Sequence, residues 1–231
     1  MNYLAHLFFY DDTEDALLGS LLGDFVKGSA EGRFSAAISD AIRLHRKIDS
    51  FADAHRITRE SRDRISPSRR RFAGIVVDVC YDHFLSRHWG DFSRIGLASF
   101  VERVYVVLMK NSAILPDRLS RILPRMISEN WLESYVHLQG VGDALDRIAK
   151  RLSRGSSFLG AVAEIEANYP ALERDFFGFF PDLAAFCTEW NRNRESGTGK
   201  RPAGWHTGKI SEAWMGRTGV RSATADREHI P

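Results

Sequence analysis

The stretch Asp78-Val-Cys-Tyr-Asp-His-Phe-Leu-Ser-Arg-His-Trp89 decides how this chain of 231 residues folds. It continues the apolar run Ile75-Val76-Val77, and the combined pattern predicts a half-buried helix over residues 72–88. Asp78 and Asp82 are four residues apart, so a helix places both carboxylates on one face. Because two like charges beside apolar residues repel each other, the pair predicts a cation or a proton nearby, and His83 follows at once.

Helical periodicity continues on both sides of this segment. No pair of alternating strands accompanies it, so the sequence predicts an all-α domain over residues 1–190. A helix that begins at Ser35 or Ser39 is expected to continue until Pro67 breaks it, and Tyr169-Pro170 is expected to break another. The other predicted helices span residues 15–26, 100–112, 119–135, 141–152, 158–168 and 171–190.

The composition changes at Asn191. From there the chain is rich in Gly, Arg, Ser, Thr and Lys, which is typical of an irregular segment. Isolated apolar groups remain at Trp205, Ile210 and Trp214-Met215. The sequence therefore predicts a flexible C-terminal extension over residues 191–231.

Charge and apolar content exclude several classes of function. The 32 basic and 30 acidic residues leave a net charge of +2, whereas a bulk nucleic-acid binder is normally more basic. No apolar run approaches the roughly 18 residues that span a membrane, and the first residues lack the basic start of a signal peptide. Cys80 and Cys187 lie among apolar residues without a CxxC spacing, which indicates reduced thiols in a cytoplasmic protein.

Three further polar positions need an explanation. Asp24 follows Leu21-Leu22-Gly23 at a helix end, where a carboxylate bonded to nearby amides is the simplest interpretation. His45 and Asp49 are four residues apart, which suits a metal ligand with its orienting carboxylate and equally suits a surface pair. His6 lies in an apolar N-terminal segment, where a histidine satisfied within the core is expected.

These residue types together suit a cation. The carboxylates and imidazoles come from three predicted helices, and the mixture favours Mn²⁺ or Mg²⁺. Zinc is less favoured because thiolates are absent from the set. The candidate residues are Asp24, His45, Asp49, Asp78, Asp82 and His83.

Basic residues are concentrated between Arg43 and Arg71, with few acids among them. Such a stretch is often only a solvated helix face, but its density predicts an acidic macromolecular partner. Arg46 and Lys47 can also bind phosphate if they face the same cleft as His45. The residues expected to contact the partner are Arg43, Lys47, Arg69, Arg70 and Arg71.

Four blocks of the sequence resemble the acyl carrier protein phosphodiesterases, also called acyl carrier protein hydrolyases. Two shorter blocks, at residues 131–135 and 172–177, extend the resemblance, which covers residues 1–190. The four blocks are Met1-Asn-Tyr-Leu-Ala-His-Leu7, Gly19-Ser-Leu-Leu-Gly-Asp-Phe-Val-Lys-Gly28, His45-Arg-Lys-Ile-Asp49 and Asp78–Trp89.

The resemblance implies an activity and a fold. Such enzymes hydrolyse the phosphodiester that joins 4′-phosphopantetheine to a serine of holo-acyl carrier protein, a small acidic protein, and thereby turn over the prosthetic group of fatty acid synthesis. They require a divalent cation, typically Mn²⁺. They are regarded as atypical relatives of the HD phosphohydrolases, so the resemblance implies a single HD-like helical domain.

The resemblance also implies a ligand set. Asp24 takes the place of the first HD histidine and His45 that of the doublet histidine, while Arg46 replaces the doublet aspartate. Asp78 or Asp82 is the last ligand, and Asp49 or His83 is a possible substitute. We therefore expect Asp24, His45, Asp49 and Asp78 to hold the metal. Arg46 is expected to stabilise the charge that develops on the phosphoryl group, and Asp82 or His83 to move the proton.

Two other functions are compatible with the residues. One is a general HD-type nucleotide phosphohydrolase, although the His-Asp doublet is missing. The other is a non-enzymatic adaptor that binds an acidic partner through the basic stretch. This second function does not explain the acidic residues on the three predicted helices.

Overall fold

The computed structural model describes residues 1–10, 13–152 and 155–198, and every regular element within these ranges is helical. The all-α prediction is therefore confirmed. No helix in the described ranges is long and apolar enough to cross a membrane. The α-helices are α1 (Tyr3–Phe8), α2 (Glu14–Leu22), α3 (Ala36–Ala54), α4 (Arg56–Asp63), α5 (Ala73–Arg87), α6 (Trp89–Phe92), α7 (Leu97–Lys110), α8 (Asp117–Ser128), α9 (Trp131–Ser134), α10 (Leu138–Ala149) and α11 (Val162–Thr198).

Helix α5 is the centre of the bundle. It contacts α1, α4, α10 and α11, and side chains on all of its faces are buried. A helix that is apolar on all faces is stable only when it is buried, so the sequence of α5 predicts packing partners on every side. Aromatic side chains of α11, including Phe176, Phe179 and Phe180, fill the space beside it.

Glycines bring α2 and α3 into close contact. A Cβ atom on Gly19 would lie 2.4 Å from the Cβ atom of Ala41 and 2.5 Å from the carbonyl oxygen of Ile38. No side chain fits between the two backbones at this point, so a residue larger than glycine would separate the helices. The close approach holds the end of α2, and with it Asp24, against the middle of α3.

Two predicted helices are each divided in the structure. The helix expected to run from residue 35 to Pro67 begins as predicted, because the hydroxyl of Ser35 caps it by accepting from the amide of Ile38 at 3.2 Å. It ends at Ala54, where His55 adopts an extended backbone (ψ 137°) and α4 begins. The helix predicted over residues 119–135 is interrupted by Asn130, whose φ of 44° lies in the left-handed region.

Helix α11 corrects the prediction of a break at Tyr169-Pro170. It continues through Pro170 and Pro181 to Thr198. A proline inside a helix costs about 3 kcal/mol, and burial of the aromatic face of α11 outweighs that cost. Residues 191–198, predicted to be irregular, are helical, and the rest of the predicted extension, residues 199–231, lies outside the described ranges.

A candidate metal centre between two helices

A group of possible metal ligands lies where α1 meets α3. One ligand atom each from His6, His45 and Asp49 lies within 4.8 Å of the others. The two imidazole rings stack with their centroids 3.6 Å apart and an interplanar angle of 15°. Both rings are buried, whereas the side chain of Asp49 is 41% exposed, so the group opens to solvent on its carboxylate side.

The ring of His45 is held in one tautomer by the backbone. Its Nδ1–H donates to the carbonyl oxygen of Ser20 at 2.7 Å. This bond directs Nε2 toward Asp49 Oδ2, at 3.4 Å, and toward Asp24 Oδ1, at 3.5 Å. Metal-binding histidines are commonly oriented in this way, with one nitrogen bonded to a carbonyl and the other left for the ion.

His6 belongs to the same group. Its ring is buried in the core as expected, but only one of its two nitrogens is satisfied within the described part of the chain. Its Nε2 lies 3.1 Å from Asp49 Oδ1 and 3.3 Å from the carbonyl oxygen of Met1. Its Nδ1 is buried without a hydrogen-bond partner in the described part of the chain. A buried polar atom without a partner is unfavourable, so this nitrogen is suited to a ligand. The presence of His6 in the first matched block was the signal for it.

The charges of the group are strongly coupled. Burial opposes the imidazolium form of His45, but hydrogen bonds and charges of Asp24 and Asp49 outweigh it and raise the pKa to about 9. Burial and the neighbouring charge of His45 lower the pKa of His6 to about 4. Partial desolvation of the Asp49 carboxyl opposes its ionisation, but hydrogen bonds from the two histidines outweigh this effect and lower its pKa. A positive charge between the carboxylates is therefore favoured at neutral pH, and a divalent cation supplies the same charge without the proton.

Of the other predicted ligands, Asp24 lies at the rim and Asp78 beyond Asp49. Burial opposes ionisation of Asp24, but the hydrogen bond from His45 lowers its pKa. Asp78 Oδ1 lies 3.3 Å from the α-ammonium of Met1, which is also 3.2 Å from Asp49 Oδ1. Burial raises the pKa of Asp78 even beside this ammonium. The α-ammonium of Met1 therefore links Asp78 to Asp49, and no contact between Asp78 and either imidazole is seen among the described residues.

Asp82 and His83 have partners elsewhere. The carboxylate of Asp82 is fully buried and accepts from the amides of Leu4, at 2.7 Å, and Ala5, at 3.0 Å. Burial raises the pKa of Asp82 to about 7, against the effect of these two amides. His83 donates from Nδ1 to the Tyr135 carbonyl at 2.6 Å, and its Nε2 is 2.9 Å from the hydroxyl of Tyr169. These contacts favour structural roles over the proton transfer predicted for both residues.

Asp82 also positions His6, because it binds the first turn of the helix that carries the histidine. Replacing Asp82 with Ala is expected to lower the free energy of unfolding by about 2–4 kcal/mol, since two buried amides lose their acceptor. Asp82→Asn keeps an oxygen acceptor and is expected to lose less. Urea unfolding of both variants measures the difference, and equal stability of Asp82→Ala and the wild type would contradict the role.

The pKa of His45 predicts how stability depends on pH in the metal-free protein. Because the value rises from 6.5 to about 9 on folding, His45 contributes stability that is fully present below pH 6.5 and is lost as the pH rises through 9. We expect the melting temperature in EDTA to fall over this interval. The α-amino group of Met1, whose pKa is raised from 8.0 to about 10, contributes with the same sign above pH 8. His45→Gln should therefore flatten the curve between pH 6.5 and 8, and an unchanged slope there would refute the assignment.

Arg46 flanks the centre. One of its terminal nitrogens donates to the carbonyl oxygen of Val26 at 2.7 Å, two residues beyond Asp24 in sequence. The side chain is only partly buried. This placement leaves the role predicted for Arg46 open to experiment.

The basic stretch is more neutral than the sequence indicates. Acids from other parts of the chain, or from the same helix, pair with most of its arginines. Lys47 and Arg71 are exposed, and the guanidinium of Arg71 lies 5.6 Å from the ring centroid of Phe72. The ion pairs are Arg43–Glu31, Arg43–Asp40, Arg56–Glu60, Arg62–Asp53, Arg64–Asp175, Arg69–Glu164 and Arg70–Asp63. The interpretation of this stretch as a free cationic face is therefore weakened.

The structure defines a helical bundle with a candidate cation site of two buried histidines and a half-exposed aspartate. Comparison with known proteins is more specific. The acyl carrier protein phosphodiesterase family matches residues 1–183, and the chain belongs to this family. Its members are hydrolases that act on a phosphodiester.

Individual relatives agree with this family membership. Acyl carrier protein phosphodiesterases of Serratia proteamaculans and Yersinia enterocolitica are each 35% identical over 184 residues, which cover 79% of this chain and 95% of theirs. The protein of the same name from Klebsiella pneumoniae is 35% identical over 187 residues, with the same coverage. No solved structure matches the chain.

Proposed function

We propose that this protein is a divalent-cation-dependent phosphodiesterase that removes 4′-phosphopantetheine from the serine of holo-acyl carrier protein. The products are apo-acyl carrier protein and 4′-phosphopantetheine, so the enzyme acts in turnover of the prosthetic group of fatty acid synthesis. Family membership supports the substrate. The observation that carries the chemistry is the convergence of His6, His45 and Asp49 at a solvent-facing site.

The donor set fits a cation such as Mn²⁺ or Mg²⁺. Imidazole and carboxylate are the ligands that Mn²⁺ accepts in proteins, and three such side chains each bring one donor atom to within 4.8 Å of the others. The residues that would hold the ion are His6, His45 and Asp49, while Asp24 lies outside this set, beside His45. When bound, such an ion polarises the phosphoryl oxygen and lowers the pKa of water.

The protein side chains supply orientation, charge and proton transfer. The Ser20 carbonyl holds the ring of His45, and Asp49 holds His6. Arg46 gives one terminal nitrogen to the backbone and has other N–H groups for the phosphoryl oxygens, where charge develops. Asp24, 40% exposed and next to His45, replaces Asp82 and His83 as the group that moves the proton.

Hydrolysis of purified holo-acyl carrier protein tests the proposal. After incubation with Mn²⁺, mass spectrometry should show loss of the phosphopantetheine mass and release of 4′-phosphopantetheine, and EDTA should prevent both. A panel of nucleotides tests the alternative of a nucleotide phosphohydrolase. Cleavage of nucleotides with intact carrier protein would overturn the proposed substrate. A protein that contains no metal and cleaves neither would support the adaptor instead.

Location and partners follow from the same proposal. Cys80 and Cys187 are free and buried, which supports the reducing environment of the cytoplasm, where fatty acid synthesis would supply the substrate. Internal pairing of most arginines between Arg43 and Arg71 argues against nucleic acid at that stretch, because phosphate backbones are bound through unpaired cations. The partner we propose is therefore the acidic carrier protein alone.

A further inference from the structure

A second group of arginines lies on another side of the candidate metal centre. Phe25, the residue after Asp24, connects the group to the centre. The ring of Phe25 stacks on the ring of Tyr3, with centroids 6.3 Å apart and an interplanar angle of 20°. The guanidinium of Arg118, from α8, lies 5.3 Å from the centroid of the Phe25 ring. An aromatic pair therefore connects the metal centre directly to a cationic side chain.

Two more arginines act electrostatically on Tyr3. Burial raises the pKa of the Tyr3 hydroxyl to about 12 and the charge of Asp24 adds to this, while Arg118, Arg151 and Arg147 act in the opposite direction. Charges affect one phenol in this way only when they lie near it. Arg147 belongs to α10 and Arg151 follows the end of that helix. Arg118 thus lies beside the Tyr3–Phe25 pair, and the charges of Arg147 and Arg151 act on the same phenol from another part of the chain.

Arg118 and Arg151 are not neutralised as the arginines of the basic stretch are. Within the described residues, no carboxylate forms an ion pair with Arg118 or Arg151, and both side chains are exposed. Arg147 stacks on Trp131, 4.2 Å from the ring centroid, and lies 3.7 Å from Glu129. One of its terminal nitrogens, Nη2, is buried and has no hydrogen-bond partner in the part of the chain that the structure describes. Guanidinium groups with free N–H donors are well suited to carboxylates.

We propose that Arg118 and Arg151, beside Tyr3 and Phe25, form an arginine flank that receives the acidic surface of the protein substrate. This inference rests on the proposed function. Charge complementarity at the edge of a catalytic site increases the association rate and selects the partner. Because Phe25 follows Asp24, a protein bound here presents its phosphodiester next to the metal centre. The flank replaces the stretch from Arg43 to Arg71 as the docking surface.

Charge reversal on the two surfaces tests the inference. The flank variant carries Arg118→Glu and Arg151→Glu, and the comparison variant carries Arg56→Glu and Arg59→Glu on the exposed face of α4. Each variant is titrated with fluorescently labelled apo-acyl carrier protein, which lacks the phosphodiester. We expect the flank variant to bind at least about tenfold more weakly and with less dependence on salt, and the comparison variant to bind normally.

Steady-state kinetics on holo-acyl carrier protein provide a second readout. The flank variant should show a raised KM with little change in kcat, because the lost contacts are made equally in the ground state and the transition state. Normal binding by the flank variant, or a loss confined to the Arg56 and Arg59 variant, overturns the inference. If the flank variant binds apo-protein normally but fails to hydrolyse bis(p-nitrophenyl) phosphate, the flank binds the phosphoryl group instead.

The experiment separates this inference from the proposed function. If the wild type does not hydrolyse holo-acyl carrier protein, the proposed function fails whatever the binding titration shows. Circular dichroism and thermal melting confirm that both variants fold. If the flank variant does not fold, Arg118→Gln with Arg151→Gln removes the charges without reversing them, and unchanged binding by that protein also overturns the inference.

Discussion

Replacing Asp49 with Asn is expected to lower the rate of phosphodiester hydrolysis by more than about 100-fold. Even changes to residues that only orient metal ligands reduce metal affinity or activity by about 10–100-fold. Asp49 is the carboxylate shared by both histidines, with Oδ1 3.1 Å from His6 and Oδ2 3.4 Å from His45. An amide offers one neutral oxygen and no negative charge. The variant should therefore lose affinity for Mn²⁺ together with activity.

Asp53→Asn is the matched control. Asp53 lies one turn further along α3, is exposed and pairs with Arg62, so the same chemical change falls outside the centre. Calorimetric titration with Mn²⁺ and the rate of phosphopantetheine release measure both variants. Wild-type affinity and rate in Asp49→Asn would show that this group of residues is not the catalytic centre.

Replacing Gly23 with Ala is expected to have the second largest effect. A Cβ atom on Gly23 would lie 2.2 Å from Cγ and 2.6 Å from Nδ1 of His45, so the ring must move. The movement breaks its alignment with the Ser20 carbonyl and with Asp49. We expect a loss of activity of about 10–100-fold and a loss of stability of about 1–3 kcal/mol from overpacking.

The backbone at Gly23 makes this prediction specific. Its φ of −51° and ψ of −36° are right-handed helical, so Ala is compatible with the chain itself and only the contact with His45 is affected. Gly90→Ala is the control, because that glycine is also helical and a Cβ atom there would meet no heavy atom of the described residues within 4 Å. Urea unfolding and Mn²⁺ titration compare the two variants, and full activity in Gly23→Ala would contradict the proposed position of His45.

Local pattern was sufficient for most of the fold. The apolar residues of α5 and the serine cap of α3 are local signals, and both were predicted. The prediction failed at His55 and Asn130, where single residues leave the helical region, and at Pro170, where the helix persists. Asn130 adopts a left-handed conformation that asparagine tolerates locally, and its side chain donates to Glu133. At His55, which contacts Phe179, and at Pro170, packing with distant residues outweighs local preference.

In the candidate centre, too, some contacts follow from sequence spacing and others depend on tertiary packing. His45 and Asp49 are one helical turn apart, so their proximity follows from sequence spacing alone. The contribution of His6 depends on the docking of α1, which Asp82 holds through the amides of Leu4 and Ala5. The spacing of Asp78 and Asp82 predicted a cation or a proton nearby. The α-ammonium of Met1 lies 3.3 Å from Asp78, and burial raises the pKa of Asp82 to about 7, so the prediction is confirmed, but the two carboxylates have different partners.

The sequence by itself determined the helical class, the core helix around residues 78–89 and the pairing of His45 with Asp49, because each depends on contacts within one or two turns. Only the tertiary structure decided which polar groups meet. Asp82 binds the backbone amides of α1, and His6 lies beside His45 and Asp49. Most arginines of the basic stretch form ion pairs with carboxylates, while Arg118 and Arg151 form none with the described residues. Ion pairs and metal sites depend on distances of a few ångström between residues far apart in the chain, and no local periodicity specifies those distances.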